Sequence, residues 1–181
     1  MRKFPFPDEQ ESKEELKRDV LYRKIAEGDR EKICSMAWCR GEEAAFEIFR
    51  KHPGLGILEI AEKEGITIRR GTEENIRGVL QVFGEYHVRS GCIVLYPGSI
   101  KMWAQANDLS LVAAEEMVAA HEFYHFLECT RIGETSKIYK VPVVSIGKKV
   151  LMTSGVRALS EIGAHGFAHA YFIRHIQGKE R

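Results

Sequence analysis

The sequence predicts an α+β fold: a small antiparallel or mixed sheet packed on helices, preceded by an N-terminal helical extension over residues 1–40. Three observations predict it. Segments with apolar residues at helical spacing occupy both ends of the chain. Short β-rich pieces, each ended by glycine or proline, cluster between residues 66 and 97 and again between 137 and 153. Between the two β regions lies a helix that reads as apolar almost all round, Val118 to Glu128, and the domain of residues 41–181 is expected to assemble on it.

In chain order, Asp8 to Glu27 is densely charged, with Leu16, Val20, Leu21 and Ile25 at near-helical spacing; it predicts an amphipathic helix stopped at Gly28. Asp29 to Arg40, carrying Ile33, Met36 and Trp38, predicts a second short helix, and Glu42 to Lys51 a further one stopped by Pro53 and Gly54. Leu55 to Glu64 predicts another helix, with Gly65 past its end. Ile66-Thr67-Ile68 alternates apolar with polar and predicts a first strand; Val79 to Val88 and Cys92 to Leu95 predict a second and third, the last closed by Pro97-Gly98. Ser110 is the expected N-cap of the central helix and Gly133 its stop. Ile138 to Ile146 and Val150 to Met152 flank Gly147-Lys148-Lys149, which predicts a β-hairpin inserted over residues 137–153, either walling a cleft or ornamenting the surface. A last helix runs from Ser154 to Phe172.

Composition excludes several function classes. A formal net charge of +1 gives no electrostatic case for nucleic acid or an anionic membrane surface. The sequence has no apolar run of about 18 residues, so no membrane span is expected. Met1-Arg2-Lys3-Phe4-Pro5 lacks the apolar core of a secretory signal. Cys34, Cys39, Cys92 and Cys129 show no C-x-x-C spacing and read as reduced, mostly buried thiols of a cytoplasmic protein.

The chemistry concentrates in His121-Glu122-Phe123-Tyr124-His125, an H-E-x-x-H pattern. Helix residues four apart differ by about 40° in direction and lie one turn apart, so both imidazoles aim at one spot. Two ligands of a tetrahedral Zn²⁺ need that geometry, with Glu122 free to act on a metal-bound water. The apolar frame of Ala119, Ala120, Phe123, Tyr124, Phe126 and Leu127 argues for a buried helix able to hold ligands still. Against this stands the plain alternative of a core helix whose histidines are satisfied by neighbours. A third ligand is required, and the last helix offers Glu161: His165, Ala168 and Phe172 fall within about 40° of it on the helical wheel. A carboxylate on such a small-residue face is costly to bury unless it meets a cation.

The run Leu58-Glu59-Ile60-Ala61-x-x-x-Gly65-Ile66-x-Ile68, followed by strands, His121-Glu122-x-x-His125 and Glu161-x-x-Ala164-x-x-Phe167-Ala168, resembles the ImmA/IrrE-type metallopeptidase-like family over roughly Pro53 to Phe172. The resemblance implies a minimal zincin-like metallopeptidase domain of gluzincin type, with His121, His125 and Glu161 as zinc ligands, Glu122 as general base and a protein or peptide substrate. The chain departs from the family at His165, His169 and Tyr171, and in the long interval between His125 and Glu161.

The expected activity is zinc-dependent peptide hydrolysis, with His165 as a second catalytic electrophile and His169 and Tyr139 as the other candidates. Cys92 to Tyr96 is the expected edge strand for an extended substrate. His52, His87 and His175 read as structural or solvent-facing, and Glu115 and Glu116 as a solvated helix face. The alternative is a metal-stabilised regulatory module whose open position is closed by a fourth ligand such as His165. Glu122-x-x-His125 also reads as the E-x-x-H of di-iron carboxylate bundles, which need a second copy that this chain lacks.

Overall fold

The computed structural model describes residues 4–71, 75–77 and 80–176; the remainder, including Val79 of the second expected strand, lies outside the described residues. The fold is mixed α+β. An arm of residues 4–11 leads into α1 (Ser12–Lys17), which is far shorter than the expected helix to Glu27. The cause is Asp19, whose carboxylate accepts the N–H of Leu21 at 2.8 Å and that of Ala158 at 2.9 Å. The first bond turns the chain locally, and the second satisfies an orphan amide at the start of a distant helix.

Helix α2 (Arg30–Lys51) is one unbroken helix where two were expected, so the expected boundary at residues 40 and 41 falls inside it. Gly41 does not end the helix; it lets another backbone approach. A Cβ there would lie 2.7 Å from the Phe167 nitrogen and 2.9 Å from the Gly163 carbonyl carbon. Helix α3 (Ile57–Lys63) ends as expected at Gly65, which adopts φ +84°.

The sheet region contains β1 (Thr67–Arg70), β2 (Asn75–Arg77), β3 (Leu80–Val82), β4 (Gly84–His87) and β5 (Cys92–Leu95). The second expected strand is therefore split at Phe83. β5 is central in a three-stranded mixed sheet, parallel to β1 and antiparallel to β4. Cys92 to Tyr96 is thus not an edge; β4 is. β2 and β3 form a separate ribbon. Helix α4 (Pro97–Ala106) was not expected, because Pro97-Gly98 read as a strand stop; proline in fact opens the helix, where its missing N–H costs nothing.

Helix α5 (Leu111–Leu127) starts at Ser110, whose hydroxyl accepts the Ala113 N–H at 3.2 Å. It loosens into a π-helical turn, Glu128–Ile132, and stops at Gly133 with φ +77°. The Arg40 guanidinium donates to the carbonyls of Ile132 and Gly133 and so caps that end from α2. The hairpin comprises β6 (Lys140–Ile146) and β7 (Lys149–Gly155), and Ile146, Val150, Leu151 and Met152 on it are exposed.

Helix α6 (Ala158–Tyr171) continues as a π-helical turn, Phe172–Ile176, and packs between α2 and α5. Phe49, Phe123, Tyr124, Phe167 and Tyr171 meet in this core and are almost wholly excluded from water. Burial of each such side chain contributes about 1.5–3 kcal/mol, which fixes α5 and α6 side by side. All four cysteines are free; Cys34 and Cys92 are buried, but Cys39 and Cys129 are exposed. No helix among the described residues is long and apolar enough to cross a membrane.

Candidate metal centre

The juxtaposition of α5 and α6 brings His121, His125 and Glu161 together. His121 Nε2 lies 3.2 Å from Glu161 Oε2, and His125 Nε2 lies 3.7 Å from Glu161 Oε1. One ligand atom from each residue falls within 4.8 Å of the others, a spacing able to hold a metal ion. The two imidazoles stand nearly perpendicular, with ring centroids 5.1 Å apart. Glu161 keeps 47% of its side chain exposed, so the group opens to solvent on that side, beside a groove lined by Glu15, Arg18, Asp19 and Arg157.

Sequence reasoning missed Glu128, which organises the centre. This carboxylate is buried, and its Oε2 accepts from His125 Nδ1 at 3.0 Å. Its Oε1 accepts from the Thr135 N–H at 2.6 Å and from the Ser160 hydroxyl at 2.9 Å. Glu128 therefore fixes the His125 ring, leaving Nε2 to face Glu161, and also holds the residue preceding Glu161. A carboxylate behind a histidine is the usual outer partner of a metal-ligating imidazole. The signal was available: Glu128 follows His125 by three residues, on the same helical face.

The electrostatics suit a cation. Burial alone would lower the His125 pKa, but the hydrogen bond it donates to Glu128 and the charges of Glu161 and Glu122 outweigh it and raise it. Burial alone would raise Glu161, yet the hydrogen bond and charge of His121, with His125 beyond, hold it low. The cluster thus favours positive charge at the point where the three side chains meet. Among the described residues Nδ1 of His121 and Nδ1 of His165 are buried without a hydrogen-bond partner, so neighbouring groups do not fully satisfy these two rings.

Glu122 does not join the three-atom group. Its Oε2 accepts the Tyr86 N–H at 2.9 Å, on β4, which among the described residues pairs only with β5. The strand comes this near because residue 84 is glycine: a Cβ there would meet Val118 Cγ1 at 2.7 Å and Glu122 Cγ at 3.0 Å. His165 lies beside the centre, its ring centroid 5.1 Å from that of His121, but its nitrogens are not part of the group. Burial first, and then the neighbouring His121, push its pKa down to about 3, so the ring is neutral.

The two other electrophile candidates are elsewhere. The Tyr139 hydroxyl donates to Asp29 at 2.8 Å, and His169 sits 3.4 Å from Glu42 with its ring against Phe4 and Trp38. His52 pairs with Glu64, His175 stacks on Tyr171 at 4.7 Å, and His87 is exposed. Glu115 and Glu116 are half-buried rather than a solvated face, Glu115 meeting Arg70 at 3.0 Å. No family model, curated protein or solved structure matches the chain.

Proposed function

We propose that this protein is a zinc-dependent peptidase of the zincin-like type, similar in its motif order to the ImmA/IrrE-type family, acting on a protein or peptide substrate. The observation that carries the reading is an open three-ligand group, His121, His125 and Glu161, with a carboxylate on the same helix that is not a ligand. Zn²⁺ bound by such a donor set supplies Lewis acidity and a water of lowered pKa.

The chain's own residues supply the rest. Glu128 keeps the His125 ring oriented, and its hydrogen bond to Ser160 steadies the turn that bears Glu161. Glu122 takes a proton from the attacking water and returns it to the leaving amine. The Tyr86 N–H holds that carboxylate against the β4 edge, which is where an extended peptide would add as a further strand. His165, neutral and donor-capable, is the candidate for steadying the developing oxyanion. The four unpaired cysteines support a reducing compartment, the cytoplasm.

The regulatory-module alternative requires a closed centre. Against it, no fourth residue among those described joins the group, and Glu161 is open to solvent. The test is Glu122→Gln assayed on a mixed peptide library by mass spectrometry. Zinc should remain at about one per chain while cleavage falls at least about 100-fold, the scale of a lost general base. Undiminished cleavage would remove Glu122 from its role.

A further inference from the structure

The arm that precedes α1 lies on the metal centre. The Phe6 ring stacks on His165 with centroids 5.4 Å apart, stands 5.4 Å from the His121 ring and 4.8 Å from the Trp103 ring. Trp103 is backed in turn by Phe83, at 5.4 Å, immediately before the β4 edge. Phe6 thus occupies a slot whose walls come from α4, α5 and α6 and whose floor includes a candidate zinc ligand. Unlike the core aromatics, Phe6 itself is only half-buried.

The arm is anchored on both sides of this ring. Phe4 is buried against His169 and Phe172, at 4.9 and 5.6 Å. Asp8 accepts the Glu11 N–H at 2.9 Å and pins the entry to α1. Between the anchors run Pro5-Phe6-Pro7, and the prolines have no N–H to donate to the β4 edge. What holds the segment in place at the centre is therefore the Phe6 side chain.

We propose that this slot is the side-chain specificity site of the peptidase, that it selects a large aromatic residue of the substrate, and that Phe6 is its resident competitor, leaving when substrate enters. The inference rests on the hydrolytic reading for its role, but not for its test. The slot is shaped for an aromatic side chain: offset or tilted rings at centroid separations of about 4.5–7 Å are the favourable arrangement. Its position beside His121 puts the backbone of any residue seated there next to the three-ligand group. Because Phe6 is tethered, it competes intramolecularly and lowers the apparent affinity by the fraction of molecules in which the slot is free.

The experiment compares full-length wild type, Phe6→Ala and Phe6→Leu. Metal-free protein is titrated with N-acetyl-phenylalaninamide and with N-acetyl-alaninamide, following the Trp103 indole resonance by NMR. Phe6→Ala should bind the aromatic probe at least about 10-fold more tightly than wild type, as expected if the slot is free in a tenth of molecules or fewer. It should gain little for the alanine probe. Phe6→Leu, the milder change, should fall between and carries the test if Phe6→Ala does not fold. Affinities equal within about twofold across the three proteins would overturn the proposal. In zinc-loaded protein, Phe6→Ala should raise kcat/KM by a similar factor for peptides with an aromatic residue beside the cut bond. Tighter probe binding without cleavage by any form would uphold the slot and sink the peptidase reading instead.

Discussion

Gly41→Ala tests the claim that the site is set by how closely α2 and α6 approach. An added methyl would lie 2.7 Å from the Phe167 nitrogen and nearer still to the Gly163 carbonyl oxygen, where ordinary contact begins at 3.4 Å. Clearing the nitrogen alone requires about 0.7 Å of separation and clearing the carbonyl oxygen requires more, and because the obstructing atoms are backbone, no side chain can yield instead. Overpacking of this kind costs about 1–3 kcal/mol or more, against about 1 kcal/mol that alanine gains over glycine within a helix. Because only backbone atoms obstruct the methyl, the upper end of that cost applies, and a net loss of about 2 kcal/mol is expected, read as a lower urea midpoint at unchanged slope.

The same displacement acts on α6, and 0.7 Å exceeds the tolerance of about 0.5 Å within which a preorganised site works. Zinc affinity should fall with stability. Gly28→Ala is the control: nothing lies within 4 Å of its added Cβ, so its effect should stay within about 0.5 kcal/mol. A Gly41→Ala protein as stable as wild type, or more so, would refute the reasoning.

Glu128→Gln should weaken zinc binding about 10–100-fold in a chelator competition, since it removes the charge behind His125. It should also lower the melting temperature of the metal-free protein, because Thr135 and Ser160 lose part of their acceptor. Zinc at 100-fold excess over Kd should add about 2.7 kcal/mol of stability and so raise that temperature, and His121→Ala should abolish the rise. Glu64 gives a pH dependence. Burial would raise its pKa, but Arg131, Lys51 and His52 donate to it and lower it from 4.5 to about 2. A depressed carboxylate stabilises the fold above its unfolded value and loses that contribution as pH falls through the folded one. Glu64→Gln should thus cost about 1–2 kcal/mol at pH 7 after allowing for solvent screening, and the gap should close as pH falls from 4.5 towards 2.

Local signals were legible in the sequence where local chemistry decides the outcome. Ser110 caps α5, Gly65 and Gly133 end helices with positive φ, and Gly147 turns the hairpin. The meeting of His121, His125 and Glu161, a group able to hold a metal ion, was legible because one helix brings two of its members and a second apolar helix offers few alternatives for the third. What escaped was set by distant partners. Asp29 to Arg40 and Glu42 to Lys51 read as two helices until Gly163 stands opposite Gly41 and the chain runs through as one. Cys92 to Tyr96 reads as an edge until β1 pairs with Cys92 to Leu95 in parallel from across a long connection. Asp19 ends α1 because Ala158 needs an acceptor, and no window of neighbouring residues contains both. Phe6 and Trp103 belong to the centre solely through tertiary contact, so spacing could not have proposed them.

The Asp19 carboxylate has a practical corollary. It supplies the first amide of the helix on which Glu161 sits with its acceptor, from a position well over a hundred residues upstream. Trimming the chain to its motif-bearing part would leave that amide bare and fray the turn that presents Glu161. A shortened protein that failed to take up zinc would then be reporting a lost helix cap, and its inactivity would say nothing against the three side chains themselves.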